Sequence, residues 1–254
     1  MDKFAVTQTP CQYKYHIPPQ RQCTHPPLAG GKFCLFHSRN DDKDKKAFWQ
    51  GIQNKLQDKD FDFEGYYFPP GLVADFRGIE FTDANFYLAI FKDKVSFFFA
   101  TFSGKGGAHF RSATFSGEGG ADFSGATFSG EGGTYFSHAR FSGEGGADFS
   151  YTNFTECNTT LFEDTKFETK CKFLYARFPR RSDHFFIFRG TRDPIDLSRC
   201  SFLYSNPDRL IFHNFKFIEN EPEKFLGLSI WRRDFVLSDE KMVDKGGTVT
   251  ITRE

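Results

Sequence analysis

Ala121-Asp122-Phe123-Ser124-Gly125, followed at once by Ala126-Thr127-Phe128-Ser129-Gly130, is the stretch that decides the fold. The second block repeats the first with a period of five: a small residue, a polar one, phenylalanine, serine, glycine. Upstream, Phe76, Phe81, Phe86 and Phe91 keep the same spacing, and Phe97 and Phe102 continue it after a slip of one residue. From Phe102 the spacing alternates between eight and five through Phe110, Phe115, Phe123 and Phe128 to Phe162 and Phe167; Phe173 and Phe178 close the run. Two residues before each aromatic stands a small or slim side chain, such as Ala74, Ala100, Ala113, Thr152 or Cys171, with Ile79 and Val95 as bulkier exceptions.

A period of five fits neither a 3.6-residue helix nor a two-residue strand alternation. It fits a coil in which every side is one pentad. The aromatic and the small residue before it point inward, and the intervening positions face water. Ser103, Ser116, Ser124 and Ser129 follow their phenylalanines. Gly104, Gly117, Gly125, Gly130 and Gly143 come next, where the coil must turn a corner. With 36 phenylalanines against two tryptophans and two methionines, the composition indicates one structural slot used many times.

These residues resemble the Ala-(Asp/Asn)-(Leu/Phe)-x-x signature of pentapeptide-repeat proteins, in register over residues 74–178. The resemblance implies an all-β solenoid, a right-handed quadrilateral β-helix with four pentads per coil and short parallel strands ~4.8 Å apart. The chain departs from the plain pattern between residues 102 and 162, where every second pentad gains three residues, as in Gly117-Glu118-Gly119-Gly120. We read these insertions as small loops at two opposite corners of each coil, serving either as spacers or as part of a binding face. Open solenoid ends expose strand edges and aromatic layers, so a cover is expected.

Residues 1–40 have a different texture. Cys11, Cys23, Cys34 and His37 supply three thiolates and one imidazole, a complete tetrahedral set for structural zinc, with His16 and His25 as alternative ligands. Arg21-Gln22-Cys23 and Gly30-Gly31-Lys32-Phe33-Cys34-Leu35-Phe36-His37 are similar to a Cys/His module placed ahead of some bacterial pentapeptide repeats. Residues 41–58 read as a capping helix with Phe48, Trp49, Ile52 and Leu56 on one stripe and Asp41 or Asp42 at its start. Residues 59–178 form the regular repeat, and residues 179–254 form degenerate coils and a C-terminal cap. In this last part Ile195-Asp196-Leu197, Cys200-Ser201-Phe202, Leu210-Ile211-Phe212 and Phe215-Lys216-Phe217 return to the pentad pattern. Phe225, Ile230 and Phe235 keep its spacing, Asn206-Pro207-Asp208 reads as a loop, and residues 248–252 read as one more strand. Cys171 and Cys200 fall in the small inward slot and are expected in the core.

Lysine plus arginine balances aspartate plus glutamate at 33 each, so no net charge dictates a partner. The polar start Met1-Asp2-Lys3-Phe4 reads as no leader, no run of roughly 20 apolar residues is seen, and the scattered cysteines suit a reducing cytoplasm. No phosphate loop, nucleophile elbow or His-Glu-x-x-His motif appears, which favours a non-enzymatic binding scaffold; a catalytic site assembled across coils would escape motif reading. The partner class left open is protein or nucleic acid, with no membrane partner. Glu118, Asp122, Glu131, Glu144 and Asp148 form a candidate acidic binding surface. Some pentapeptide-repeat proteins bind DNA gyrase by imitating DNA, so the resemblance also implies a gyrase or topoisomerase modulator.

Overall fold

A computed structural model describes residues 10–17, 21–179, 181, 183–193, 195–202, 210–213, 215–216 and 248–251. The repeat region is an all-β parallel solenoid of about five turns, and the chain visits four faces in a fixed cycle. The first face stacks Tyr67–Phe68, Ile90–Phe91, Thr114–Phe115, Arg140–Phe141 and Lys166–Phe167. The second runs from Ala74–Asp75 through Val95–Ser96, Ala121–Asp122, Ala147–Asp148 and Cys171–Lys172 to Cys200–Ser201. The third stacks Glu80–Thr82, Thr101–Ser103 and Thr127–Phe128, and single bridges carry it on to Asn153 and Arg177. The fourth holds Ala108–His109, Thr134–Tyr135, Thr159–Glu163, Phe185–Arg189 and Leu210–His213.

Register follows from the inserted pentads. Thr101 pairs with Thr127 and Ala121 with Ala147, so a full turn here takes 26 residues, twice the 13-residue double pentad. Residues 117–120 and 143–146 join the first face to the second, and residues 104–107 and 130–133 join the third to the fourth. The insertions therefore occupy two opposite corners, as the spacing predicts. They stack on one another: Gly145 N–H donates to the Glu118 carbonyl at 2.7 Å.

The interior is four phenylalanine ladders. On the second face Phe76, Phe97, Phe123, Phe149, Phe173 and Phe202 stack with centroids 4.7 to 5.2 Å apart. Phe86, Phe110, Phe136 and Phe162 do the same on the fourth face at 4.6 to 5.1 Å. Neighbouring ladders meet edge-to-face, as at Phe110–Phe123 (5.4 Å, 87°). Both geometries suit the ring quadrupole, and each fully buried ring adds ~1.5–3 kcal/mol from area alone. The small slots form their own column: Ala74, Val95, Ala121, Ala147, Cys171 and Cys200 are all inward and buried, which confirms the two cysteines as core residues.

The glycines at the corners serve two different purposes. Gly125 has φ +67° and fills the left-handed position two residues after Phe123. Gly143 is not left-handed. There the limit is space, since a Cβ would lie 2.0 Å from the Gly117 carbonyl oxygen. Gly143→Ala is therefore expected to cost about 1–3 kcal/mol in urea unfolding, as overpacking does. Gly78→Ala meets no atom within 4 Å at φ +66° and should lose only ~1 kcal/mol, the left-handed penalty.

The helix α1 spans Lys45–Gln57. Its cap is Asp44, whose Oδ1 accepts from Ala47 N–H at 2.9 Å, and not Asp41 or Asp42. Asp41 is engaged instead as the acceptor for the Tyr67 hydroxyl. Phe48 and Ile52 are fully buried, and Trp49 and Leu56 pack against the same core. Phe48 meets Phe68 at 5.2 Å and Trp49 meets Phe76 at 5.7 Å, so α1 covers the aromatic layer of the first turn, as a lid should. Buried Lys43 fixes the helix start: its Nζ donates to the carbonyls of Leu35 (2.8 Å) and Ser38 (3.0 Å) and sits 4.4 Å above the Phe48 ring. Burial draws its pKa down to about 7.

Beyond Phe178 the stack continues. Ile195–Asp196, Cys200–Ser201 and Leu210–His213 take the strand positions that the weak pentads predict, and Phe215–Lys216 pairs with Ile195–Asp196. Phe185–Arg189 is an additional strand that pentad reading does not reveal. Thr248–Ile251 pairs antiparallel with Leu210–His213 and covers that strand's free edge. Phe217, Phe225, Ile230, Phe235 and the Asn206-Pro207-Asp208 loop lie outside the described residues. Among the described residues no helix is long and apolar enough to cross a membrane.

Candidate metal centre

Two short antiparallel contacts, Lys14 with Gln22 and Pro27 with Cys34, fold the N-terminal segment back on itself. Cys23 N–H donates to the Tyr13 carbonyl and Cys11 N–H to the His25 carbonyl, which brings Cys11 and Cys23 together across the hairpin. The tight turn Cys34-Leu35-Phe36-His37, closed by Ser38 N–H onto the Cys34 carbonyl at 2.9 Å, presents the other two side chains.

The ligand atoms of Cys11, Cys23, Cys34 and His37 all lie within 4.8 Å of one another, and all four residues are buried. Cys23 Sγ is 3.8 Å from Cys34 Sγ; His37 Nδ1 is 3.2 Å from Cys34 Sγ and 3.8 Å from Cys11 Sγ. A tetrahedron with ~2.3 Å metal–sulfur arms has edges of ~3.8 Å, so this donor set fits a tetrahedral ion. Cys34 N–H points at Cys11 Sγ, 3.3 Å away, and so favours a thiolate there. His37 Nε2 lies 3.0 Å from the Glu64 carbonyl; donating its proton there leaves Nδ1 free for a metal. The Tyr13 ring stacks on the imidazole at 3.9 Å and fixes its plane.

Charge is shared unevenly across the cluster. The Cys34 thiol is held far below its ordinary range by the hydrogen bond with Cys23, with His37 adding to the effect. Cys23 is pushed up by that same bond, then by burial, and Cys11 is pushed up by burial. Metal binding would displace the remaining thiol protons.

The two alternative histidines fall elsewhere. His16 Nδ1 is 3.1 Å from Glu64 Oε1, and His25 stays exposed beside Cys23, outside the group of four. Glu64 has no motif to announce it. Its buried carboxylate accepts from the N–H groups of His16 and Ile17, from the Tyr13 hydroxyl and from Asn85 Nδ2. It thus ties the N-terminal chain to the first and second turns of the solenoid. Glu64→Ala would strand several donors, at about 1–3 kcal/mol for each one left buried. The expected result is faster proteolysis within residues 10–40 while the solenoid persists.

The acidic surface divides in two. Glu118 and Glu144 recur at the corner between the first and second faces, and Asp122 and Asp148 are direct neighbours on the second face. Glu131 lies in the loop at the opposite corner, so the five acids do not share one surface. Thirteen residues separate Glu118 from Glu131, half of the 26-residue turn, which places them on opposite sides. Lys172 also continues the Asp122–Asp148 column, with its Nζ 3.6 Å from Asp148. The stripe is therefore short and ends on a lysine.

No family model matches the chain, and neither a curated protein nor a solved structure matches it.

Proposed function

We propose that the protein is a pentapeptide-repeat binding scaffold, zinc-capped at its N-terminal end, whose outer faces recruit a protein partner. The observation that carries this reading is the division of labour between its side chains. Inward positions are given over to four aromatic ladders, while the outward columns change from turn to turn, as in Asp75, Ser96, Asp122, Asp148, Lys172 and Ser201. The donor set of the metal centre is complete at four, which favours a structural ion over a catalytic one with an open position. Three thiolates and an imidazole favour zinc over harder cations.

Purified protein is expected to carry one equivalent of zinc by elemental analysis. Immobilised full-length protein should capture a stoichiometric protein partner, and substitutions on one outer face should abolish capture. Capture that survives substitution of every face in turn, or no capture at all, would overturn the scaffold reading.

DNA-gyrase modulation is the second reading, favoured by the stacked acids Glu118, Glu144, Asp122 and Asp148. On that reading the wild type inhibits gyrase supercoiling, and the double substitution Glu118→Gln with Glu144→Gln relieves the inhibition. Equal inhibition by both proteins would sink it.

A further inference from the structure

The corner between the second and third faces differs from the other three. Its left-handed positions are Gly78, Phe99, Gly125, Tyr151 and Tyr175, one per turn. Phe99 is 62% exposed and Tyr151 63%. Tyr151 and Tyr175 stack with centroids 5.0 Å apart, and Phe98 packs on Phe99 at 4.3 Å. Four of the six large hydrophobic side chains that are exposed among the described residues sit here: Phe98, Phe99, Tyr151 and Tyr175. Aromatic side chains held at φ 53–58° bear a conformational cost that glycine would avoid. So concentrated an exposed patch marks a binding surface.

The neighbouring surface indicates what binds. A groove of about 1040 Å³ runs from Phe99 past Gly125 and Tyr151 to Tyr175. It borders the third face, whose outward side chains from Thr101 to Thr155 are Thr101, Ser103, Thr127, Ser129, Asn153 and Thr155, all neutral hydroxyls and one amide. Within the groove charge enters only at one end, where Arg177 and Arg181 accompany Glu156; the charged residues Asp75, Arg77, Lys94 and Asp122 lie on the other flank of the corner, beside Phe98. A nucleic-acid strand requires cations along its whole phosphate path, and two arginines at one end beside an acid do not supply it.

From this we infer that the aromatic corner and the hydroxyl face together bind an extended, neutral polysaccharide chain. This refines the scaffold reading by naming a ligand class for one face. A pyranose ring offers an apolar C–H face that can lie against the face of Tyr151 turned away from Tyr175, and hydroxyls that the threonines and Asn153 can meet without desolvating a charge.

The test uses the full chain in co-sedimentation with insoluble cellulose and chitin, and in affinity gels containing laminarin or glucomannan. A poly(dT) oligonucleotide is the nucleic-acid probe. Tyr151→Gly keeps the left-handed backbone while removing the ring; His138→Gly makes the same change at another corner, from the same φ of 58°. The wild type should be retained by at least one polysaccharide. Tyr151→Gly should bind it about tenfold more weakly, equivalent to ~1.4 kcal/mol, and His138→Gly should match the wild type. Retention by none of the four polysaccharides overturns the inference, as does an equal loss in both variants. Binding of poly(dT) alone would replace it with a nucleic-acid site. Capture of a protein partner is measured separately, so the scaffold reading stands or falls on its own.

Discussion

Cys34→Ser should detach the N-terminal module from the solenoid and, if the cluster holds zinc as proposed, abolish that binding. Cys34 touches all three other members of the donor set: its Sγ is 3.8 Å from Cys23 Sγ and 3.2 Å from His37 Nδ1, and its N–H lies 3.3 Å from Cys11 Sγ. Structural zinc in small modules supplies ~10–16 kcal/mol of apparent folding free energy, and a segment this small has little core of its own to replace it. His37 would then keep only its Nε2 contact with the Glu64 carbonyl to orient its ring, and Tyr13 would lose a fixed stacking partner. The loss reaches further than the module. Phe36 packs against Phe48 at 5.5 Å and against Tyr66 at 4.8 Å, so the knuckle holds α1 and the first turn together. With the lid loosened, Phe63, Phe68 and Phe76 become accessible at an open solenoid end, which invites end-to-end association. The expected readout is protease cleavage within residues 10–57, a lower melting temperature, and concentration-dependent oligomers on gel filtration. Chelation of the wild type should reproduce all three. A Cys34→Ser protein with wild-type protease resistance and melting temperature would show that no metal holds this end.

How much of this was legible in the sequence depends on which physical rule decided each feature. The ladders were legible because one geometric demand recurs, and Phe123, Phe136 and Phe149 each report it. The opposite-corner loops and the Cys171–Cys200 core positions follow from the same arithmetic. Phe185–Arg189 was not legible as a pentad, because this strand runs for five residues and buries Phe186 and Phe188 at a period of two. The position of Glu131 was available in the 13-residue half-turn, which placing all five acids on one surface ignored. The cap is Asp44 and not Asp41 or Asp42 because the helix begins only at Lys45, and Asp41 is engaged by Tyr67, distant in sequence. Glu64 could not have been found from its neighbours: a carboxylate within Phe61-Asp62-Phe63-Glu64-Gly65 becomes a buried strut only through Tyr13, His16, Ile17 and Asn85. Those contacts also explain why His37, and not His16, joins the donor set.

Phe136→Ala should be strongly destabilising, as should alanine at any fully buried central rung of the ladders. Phe136 is fully buried, stacked between Phe110 at 4.8 Å and Phe162 at 4.6 Å. Phe123 and Phe149 approach it edge-to-face at 5.6 and 5.5 Å. Truncation to alanine in such a site costs ~3–5 kcal/mol, and the rigid coils on either side limit collapse into the cavity. In a solenoid each turn is stabilised mainly by its neighbours, so a weak central layer also reduces the coupling between the two halves. Urea unfolding should therefore show an earlier midpoint and a broadened or two-step transition, where the wild type unfolds more cooperatively. Phe61→Ala is the comparison, since Phe61 keeps 7% exposure and meets Phe81 edge-on at 5.1 Å, at the edge of the stack. It should cost less and leave the shape of the transition unchanged. Phe136→Leu, which leaves a smaller void, should fall between the two. Equal losses at Phe61 and Phe136, with equally sharp transitions, would mean that the ladders do not carry stability by nearest-neighbour stacking.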